Sequence, residues 1–275
     1  MFKNLVPISK EQHGNKRLKP LTDFGFASDF HVATVMVHEF ARASAVFPIV
    51  FLEDKAQDEF RPVAMLGLEG GENLFVDGAG RWVGGYVPAI IRRYPFALAS
   101  AGEEGQFTVC IDDASPVVNE EEGESLFKED GEPSEALENA RKFLGELQQM
   151  DVLTSNVCKY LAEQNMFTPF NMRVRHNEQA RNISGCYVVN EERLYNVSDE
   201  RFLEMRNRRY LPAIYAHLAS LSQIERLLKL KEERQGAAGA TPAGADPAST
   251  DPAGAGAAGR AAEQAGPTNA DPAAS

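Results

Sequence analysis

The amino-acid sequence predicts an α+β fold, in which a mainly antiparallel β N-terminal half packs with a helical C-terminal half and a disordered tail follows. Three observations carry this expectation. Short apolar runs with β-branched and aromatic content, separated by turn residues, fill the chain up to residue 112. Apolar residues at i, i+3, i+4 spacing dominate from 134 to 234. From Gly236 to Ser275 the chain is rich in Ala, Gly and Pro and contains no Leu, Ile, Val, Phe, Met, Trp or Tyr. Strands first and helices later favour α+β over a doubly wound sheet.

The strands are expected at Phe47–Leu52, Pro62–Leu66, Phe96–Ala99 and Phe107–Ile111, with one helix from about His38 to Val46. Asp77-Gly78-Ala79-Gly80 between Phe75-Val76 and Trp82-Val83 reads as a hairpin turn. Nine acidic residues and one lysine between Asp112 and Pro133 read as a solvated acidic loop, anchored by Leu126 and Phe127. Beyond it, Ala140, Phe143, Leu144, Leu147 and Met150 mark an amphipathic helix, and Val157, Tyr160 and Leu161 a second helical segment. Phe170–Val174 and Ser184–Val189 interrupt the helices as a strand pair. Ser198 is an N-cap, and Pro212 starts a long closing helix through Ile214, Leu218, Leu221, Ile224 and Leu228. Residues 1–235 therefore form one domain. The tail, 236–275, has nothing to offset the entropy of ordering it.

Composition narrows the function. Of 275 residues, 43% are hydrophobic and 25% charged, as in an ordinary globular protein. A net charge of −12 argues against a general nucleic-acid binder, which needs clustered Lys and Arg. The longest nearly apolar run, Ala43–Leu52, is half the length of a membrane span, and the N-terminus lacks the apolar stretch of a secretory signal. A soluble, cytoplasmic protein is expected. Cys110, Cys158 and Cys186 are too widely spaced for a zinc site, so no metal is expected, and no cofactor motif is present.

The chemistry-bearing residues are few. Arg92 and Arg93 follow an apolar run in Tyr86-Val-Pro-Ala-Ile-Ile-Arg-Arg-Tyr-Pro-Phe96, and arginine forks bind carboxylate or phosphate bidentately. They are the best candidates for an anion site, with Trp82, Tyr86 and Tyr94 nearby. Read on a strand, adjacent arginines face opposite sides, so that only one need face the site. The plain alternative is that one of them pairs with an internal carboxylate. In Leu66-Gly-Leu-Glu-Gly-Gly-Glu-Asn-Leu-Phe75 the glycines match no phosphate-loop pattern and serve a tight turn, beside which Glu72 and Asn73 can line a polar site. His217 is a satisfied, semi-buried histidine of the last helix. No residue can be assigned a catalytic role, because no hydrolase elbow or chelating histidine pair appears.

Several of these stretches in order, Phe47-Pro-Ile-Val-Phe, Leu66-Gly-Leu, Gly71-Glu-Asn-Leu-Phe75, Tyr86-Val-Pro-Ala and Arg92-Arg-Tyr-Pro-Phe96, resemble the SapC family, the surface-layer-associated protein C group of bacteria. Cys110-Ile-Asp112, Gly185–Leu194 and Tyr215-Ala-His-Leu-Ala-Ser-Leu221 continue the resemblance, which covers roughly residues 3–230. The resemblance implies an association with surface-layer protein production or export, and partners among surface or secreted proteins or their export machinery. It implies no reaction and no ligand set. Two readings follow: a non-enzymatic binding or accessory protein, and an enzyme acting on a peptide or small anionic substrate gripped by Arg92 and Arg93. Gathering of His38, Glu72, Asn73, Arg92 and Arg93 in one pocket favours the enzyme, and their dispersal the accessory role.

Overall fold

The expected strand runs become three antiparallel sheets tied together by one long helix. The computed structural model describes residues 1–100, 102, 107–176 and 179–239, without the side chains of 173–183 and 237–239. In chain order the elements are β1 (Leu5–Pro7), α1 (Lys10–His13), β2 (Arg17–Leu18), β3 (Val32–Thr34), α2 (Phe40–Ala43), β4 (Ile49–Asp54), β5 (Glu59–Met65), α3 (Ala89–Arg92), β6 (Phe96–Ser100) and β7 (Phe107–Asp112). They continue with β8 (Val118–Asn119), β9 (Glu124–Ser125), α4 (Glu135–Glu163), β10 (Phe167–His176), β11 (Gln179–Val189), α5 (Glu191–Tyr195), α6 (Asp199–Asn207), α7 (Leu211–Ser220) and α8 (Ile224–Gly239). The largest sheet has the order β10-β11-β4-β5-β3, so the late hairpin pairs with an early strand. A second sheet is β1-β7-β6, and a small third one β8-β2-β9. The α+β expectation holds.

Two apolar cores result, and α4 serves both. Its first half gives Leu137 and Leu144 to a core with Tyr94, Phe96, Ile111, Val117 and Leu126. Its second half gives Val157, Cys158, Tyr160 and Leu161 to the core of the large sheet, with Phe47, Ile49, Phe51 and Phe75. Ser134 caps the helix by accepting from the Leu137 amide at 3.3 Å, and Glu135 and Glu138 favour its first turn. The expected break into two segments is absent. Thr154, a weak helix former, is held there because its hydroxyl donates to the Met150 carbonyl at 2.7 Å and accepts from the Val37 amide at 3.0 Å.

The Asp77 turn is the expected hairpin. Its carboxylate accepts from the Ala79 and Arg81 amides, and Val76 pairs with Trp82. Gly80 has a φ of 76°, and a Cβ there would collide with the Asp23 carboxylate, so both conformation and space require glycine.

Four expectations need correction. The helix after His38 is a 3-10 turn, Val37–Glu39, followed by the short α2. The acidic stretch is only partly a solvated loop. Asp112 is completely buried and accepts from the Lys3 amide at 3.0 Å, the Asn4 amide at 2.8 Å and the Tyr94 hydroxyl at 3.4 Å, which fastens the N-terminus. Lys16–Glu120 at 3.1 Å and Lys19–Glu122 at 2.7 Å brace the rest, with Leu126 buried as the anchor. The closing helix is split by a 3-10 turn, Leu221–Gln223, because the Ser220 hydroxyl is committed to the His217 carbonyl at 2.6 Å and the Ile49 amide at 2.9 Å. Finally, α8 runs through Gly239, into the segment read as tail; Ala237 and Ala238 are strong helix formers. Residues 240–275 of the expected tail lie outside the described residues.

Candidate functional site

The two arginines sit at the end of a helical turn, not on a strand. Pro88 opens α3, and the Ala89 amide donates to the Glu39 carboxylate at 2.8 Å. Glu39 is 2% exposed and also accepts from the Met36 amide at 3.0 Å and the Tyr86 hydroxyl at 2.5 Å. One buried carboxylate thus fixes the start of α3 and the tyrosine ahead of it. Burial, together with the bond to Glu39, pushes the Tyr86 phenol up to about 12.

Arg92 leaves this base with its Nε donating to the Val87 carbonyl at 3.0 Å and a terminal nitrogen 3.5 Å from the Tyr86 hydroxyl. Its guanidinium lies 5.7 Å from the Tyr86 ring centroid and 5.4 Å from that of Phe143. Arg93 lies 5.6 Å over the Phe2 ring, and its buried Nε has no hydrogen-bond partner. Burial holds the Arg93 guanidinium below the usual arginine range. Among the described residues neither arginine has a carboxylate partner.

Both arginines line one cavity of about 320 Å³, bounded by Lys19, Leu21, Tyr94 and Phe96 on one side and by α4 on the other. From α4 come Ala136, Asn139, Ala140, Phe143 and Leu144, at the spacing of a single helix face. No Asp or Glu lines it among the described residues. In a chain of net charge −12 this wall, which carries two guanidinium groups and no acid among the described residues, stands out. The leftover donor, the Arg93 Nε, is sealed from solvent, so an arriving acceptor meets the terminal nitrogens of the guanidinium.

The seven candidate residues divide between three places. Arg92, Arg93 and Tyr94 line the cavity, and Tyr86 touches Arg92. Trp82 is one layer back: its Nε1 donates to the Tyr86 carbonyl at 2.8 Å while its ring packs with Phe24, Phe47 and Phe75. Glu72 and Asn73 are elsewhere. The Glu72 carboxylate pairs with Lys231 and accepts from the Leu68 amide, and Asn73 is completely buried, bonded to the Ala27 carbonyl and the Phe75 amide. His38 is exposed and outside the cavity. The five residues whose gathering would mark an enzyme are therefore dispersed.

Sequence reasoning missed Glu39, Phe143 and Lys19. Glu39 is the only acidic residue in Val32–Phe51, a signal that a carboxylate amid so much apolar chain is buried for a purpose. A larger cavity of about 760 Å³ lies between the β4–β5 turn and α4, with Asp58, Glu59, Lys159, Glu163 and Cys158 on its wall. Its charges are mixed, and burial pushes the Cys158 thiol up to about 12, which leaves it no nucleophile. All three cysteines are buried and free. No described helix is long and apolar enough to cross a membrane, and no cluster of His, Cys, Asp and Glu among the described residues can hold a metal ion.

Neither the curated proteins nor the solved structures offer a match to this chain. A family model described as SapC, however, matches residues 8–227, most of the chain, and the protein belongs to that family.

Proposed function

We propose that this SapC-family protein is a non-enzymatic binding or accessory protein for the production or export of surface proteins, acting in the cytoplasm and holding an anionic group of its ligand or partner with Arg92 and Arg93. The observation that supports this reading most is the cavity in which, among the described residues, two guanidinium groups without carboxylate partners face a wall free of acids. The dispersal of His38, Glu72 and Asn73 away from that cavity favours binding over catalysis. The test is genetic and biochemical. In the bacterium that encodes the chain, the double variant Arg92→Gln/Arg93→Gln replaces the natural copy, and the protein content of the cell surface is compared with that of the cytoplasm. A severalfold loss of surface protein at an unchanged level of the variant chain is expected. An unchanged surface content at equal expression sinks the proposal.

A further inference from the structure

We infer that the cavity beside α4 takes a carboxylate attached to an apolar group, as in a fatty acid or in the C-terminal residue of a peptide that ends in an aliphatic side chain. The inference rests on the reading of Arg92 and Arg93 as an anion site and specifies what that site takes.

The donor inventory sets the head group. Arg92 spends its Nε on the Val87 carbonyl and inclines a terminal nitrogen to Tyr86. Lys19 is neutralised by Glu122 at 2.7 Å. Among the described residues the Arg93 guanidinium makes no hydrogen bond; its Nε is sealed from solvent, so its terminal nitrogens are the donors open to a ligand, beside the remaining N–H groups of Arg92. The two terminal nitrogens of an arginine match the two oxygens of one carboxylate. A phosphate dianion brings a second charge and a third oxygen, and beyond the leftover N–H groups of Arg92 the remaining wall has little to offer them. Asn139 is the one neutral polar side chain among the lining residues apart from the Tyr94 phenol, whose hydroxyl is committed to Asp112.

The wall sets the tail. Leu18, Leu21, Val117, Phe143 and Leu144 form an apolar lining around the guanidinium groups. A charged head with an apolar neighbour is what such a surface rewards, because each buried methylene is worth roughly fourfold in affinity. The rest of the protein repels anions in general, given its net charge of −12, so a small hydrophilic anion gains little from coming here.

The experiment uses the full chain and measures binding by calorimetry for acetate, butyrate, hexanoate and octanoate, for a short peptide ending in a free leucine carboxylate and its amidated form, and for inorganic phosphate. Affinity should rise by roughly fourfold per methylene along the acid series. It should fall at least tenfold in Arg93→Gln and in Phe143→Ala, both checked for an unchanged fold by circular dichroism. The peptide and fatty-acid arms distinguish the source: tighter binding of the free-carboxylate peptide than of octanoate, lost on amidation, assigns a protein C-terminus, and the reverse order assigns a free acid. Equal binding of phosphate, acetate and octanoate that is lost in Arg93→Gln leaves the anion site standing and overturns the apolar carboxylate. Octanoate binding unchanged by Arg93→Gln overturns the assignment of the head group. No binding by any of these probes overturns the inference together with the anion reading of the cavity.

Discussion

The Tyr86 hydroxyl donates to the buried Glu39 carboxylate at 2.5 Å, and through this bond a residue of the 3-10 turn before α2 sets the position of an arginine at the end of α3. The same carboxylate oxygen accepts from the Ala89 amide, so the hydroxyl and the helix start share one acceptor. The arrangement is a positioning device: neither Glu39 nor Tyr86 lines the cavity, but the residue that does, Arg92, is held from behind by both Tyr86 and Val87.

Replacing Glu39 by Gln should test this link. The amide keeps one oxygen, which can serve Tyr86 and Ala89, but turns an N–H toward the Met36 amide, so a cost of about 1–3 kcal/mol is expected. Removing the carboxylate charge should also lower the Tyr86 phenol from about 12 toward its ordinary value of 10.0, though not fully, because burial is the larger cause of the shift and remains. NMR of ring-labelled tyrosine during an alkaline titration reads this directly. A Tyr86 titration that does not move in the variant would show that the bond does not exist in solution.

His217 gives a prediction of the opposite sign in pH. Its ring is fully buried, accepts from the Val189 amide at 3.0 Å through Nε2 and faces the Ile49 carbonyl at 2.9 Å through Nδ1. It therefore fills the place where the β4–β11 ladder, paired at Tyr187 and Phe51, has no further rung. These bonds require the neutral ring with its proton on Nδ1, and burial holds the imidazole down at about 4 from 6.5. A histidine depressed in the folded state protonates first in the unfolded state. Its contribution is complete above pH 6.5 and is lost as pH falls through the interval down to about 4. The loss over that interval is roughly 3 kcal/mol for one proton. Urea unfolding of His217→Leu, which strands both backbone groups, should show a protein destabilised by about 2–5 kcal/mol at pH 7.5. The deficit relative to wild type should shrink as pH falls to 4. A deficit constant with pH would mean that His217 is not the group responsible.

Much of the fold was legible because strand and helix periods are local properties. The runs at Phe47–Leu52 and Phe107–Ile111, the Asp77 turn and the Ser198 cap all appear where their residues put them. What was not legible depends on partners far along the chain. Asp112 reads as the first of an acidic series, yet it is buried because the Lys3 and Asn4 amides need an acceptor. Val157, Tyr160 and Leu161 read as a second segment, yet α4 runs on unbroken, with Thr154 between them and Met150 held by the Val37 amide. At the site, Arg92 and Arg93 were recognisable from their flanking aromatics. Their common cavity was not, because a strand reading sends adjacent side chains to opposite faces, whereas at the end of a helical turn both reach one wall. Glu72 and Asn73 look like site residues beside a glycine turn, but the groups that engage them, Lys231 and Arg234, stand about 160 residues later in the chain.

That long-range contact makes the last prediction. Lys231 pairs with Glu72, and Arg234 donates to the Asn73 carbonyl at 2.9 Å and the Val76 carbonyl at 2.5 Å. The side chains of Lys231 and Glu72 are 11% and 16% exposed, so losing one partner leaves a poorly hydrated charge. A chain ending at Gln235 keeps both cations and should unfold within a degree or two of the full-length protein, which is what a tail without large apolar residues implies. A chain ending at Leu230 loses both and should be less stable by roughly 2–4 kcal/mol, or about 5–15 °C for a domain of this size. Lys231→Met alone should produce part of that loss, and adding Glu72→Gln should restore some of it, because the second change removes the stranded carboxylate. If the cut at Gln235 is as damaging as the cut at Leu230, the segment after 235 packs on the body. If Lys231→Met is silent, the pair with Glu72 is a solvated surface contact and α8 is held by its apolar residues Ile224 and Leu227.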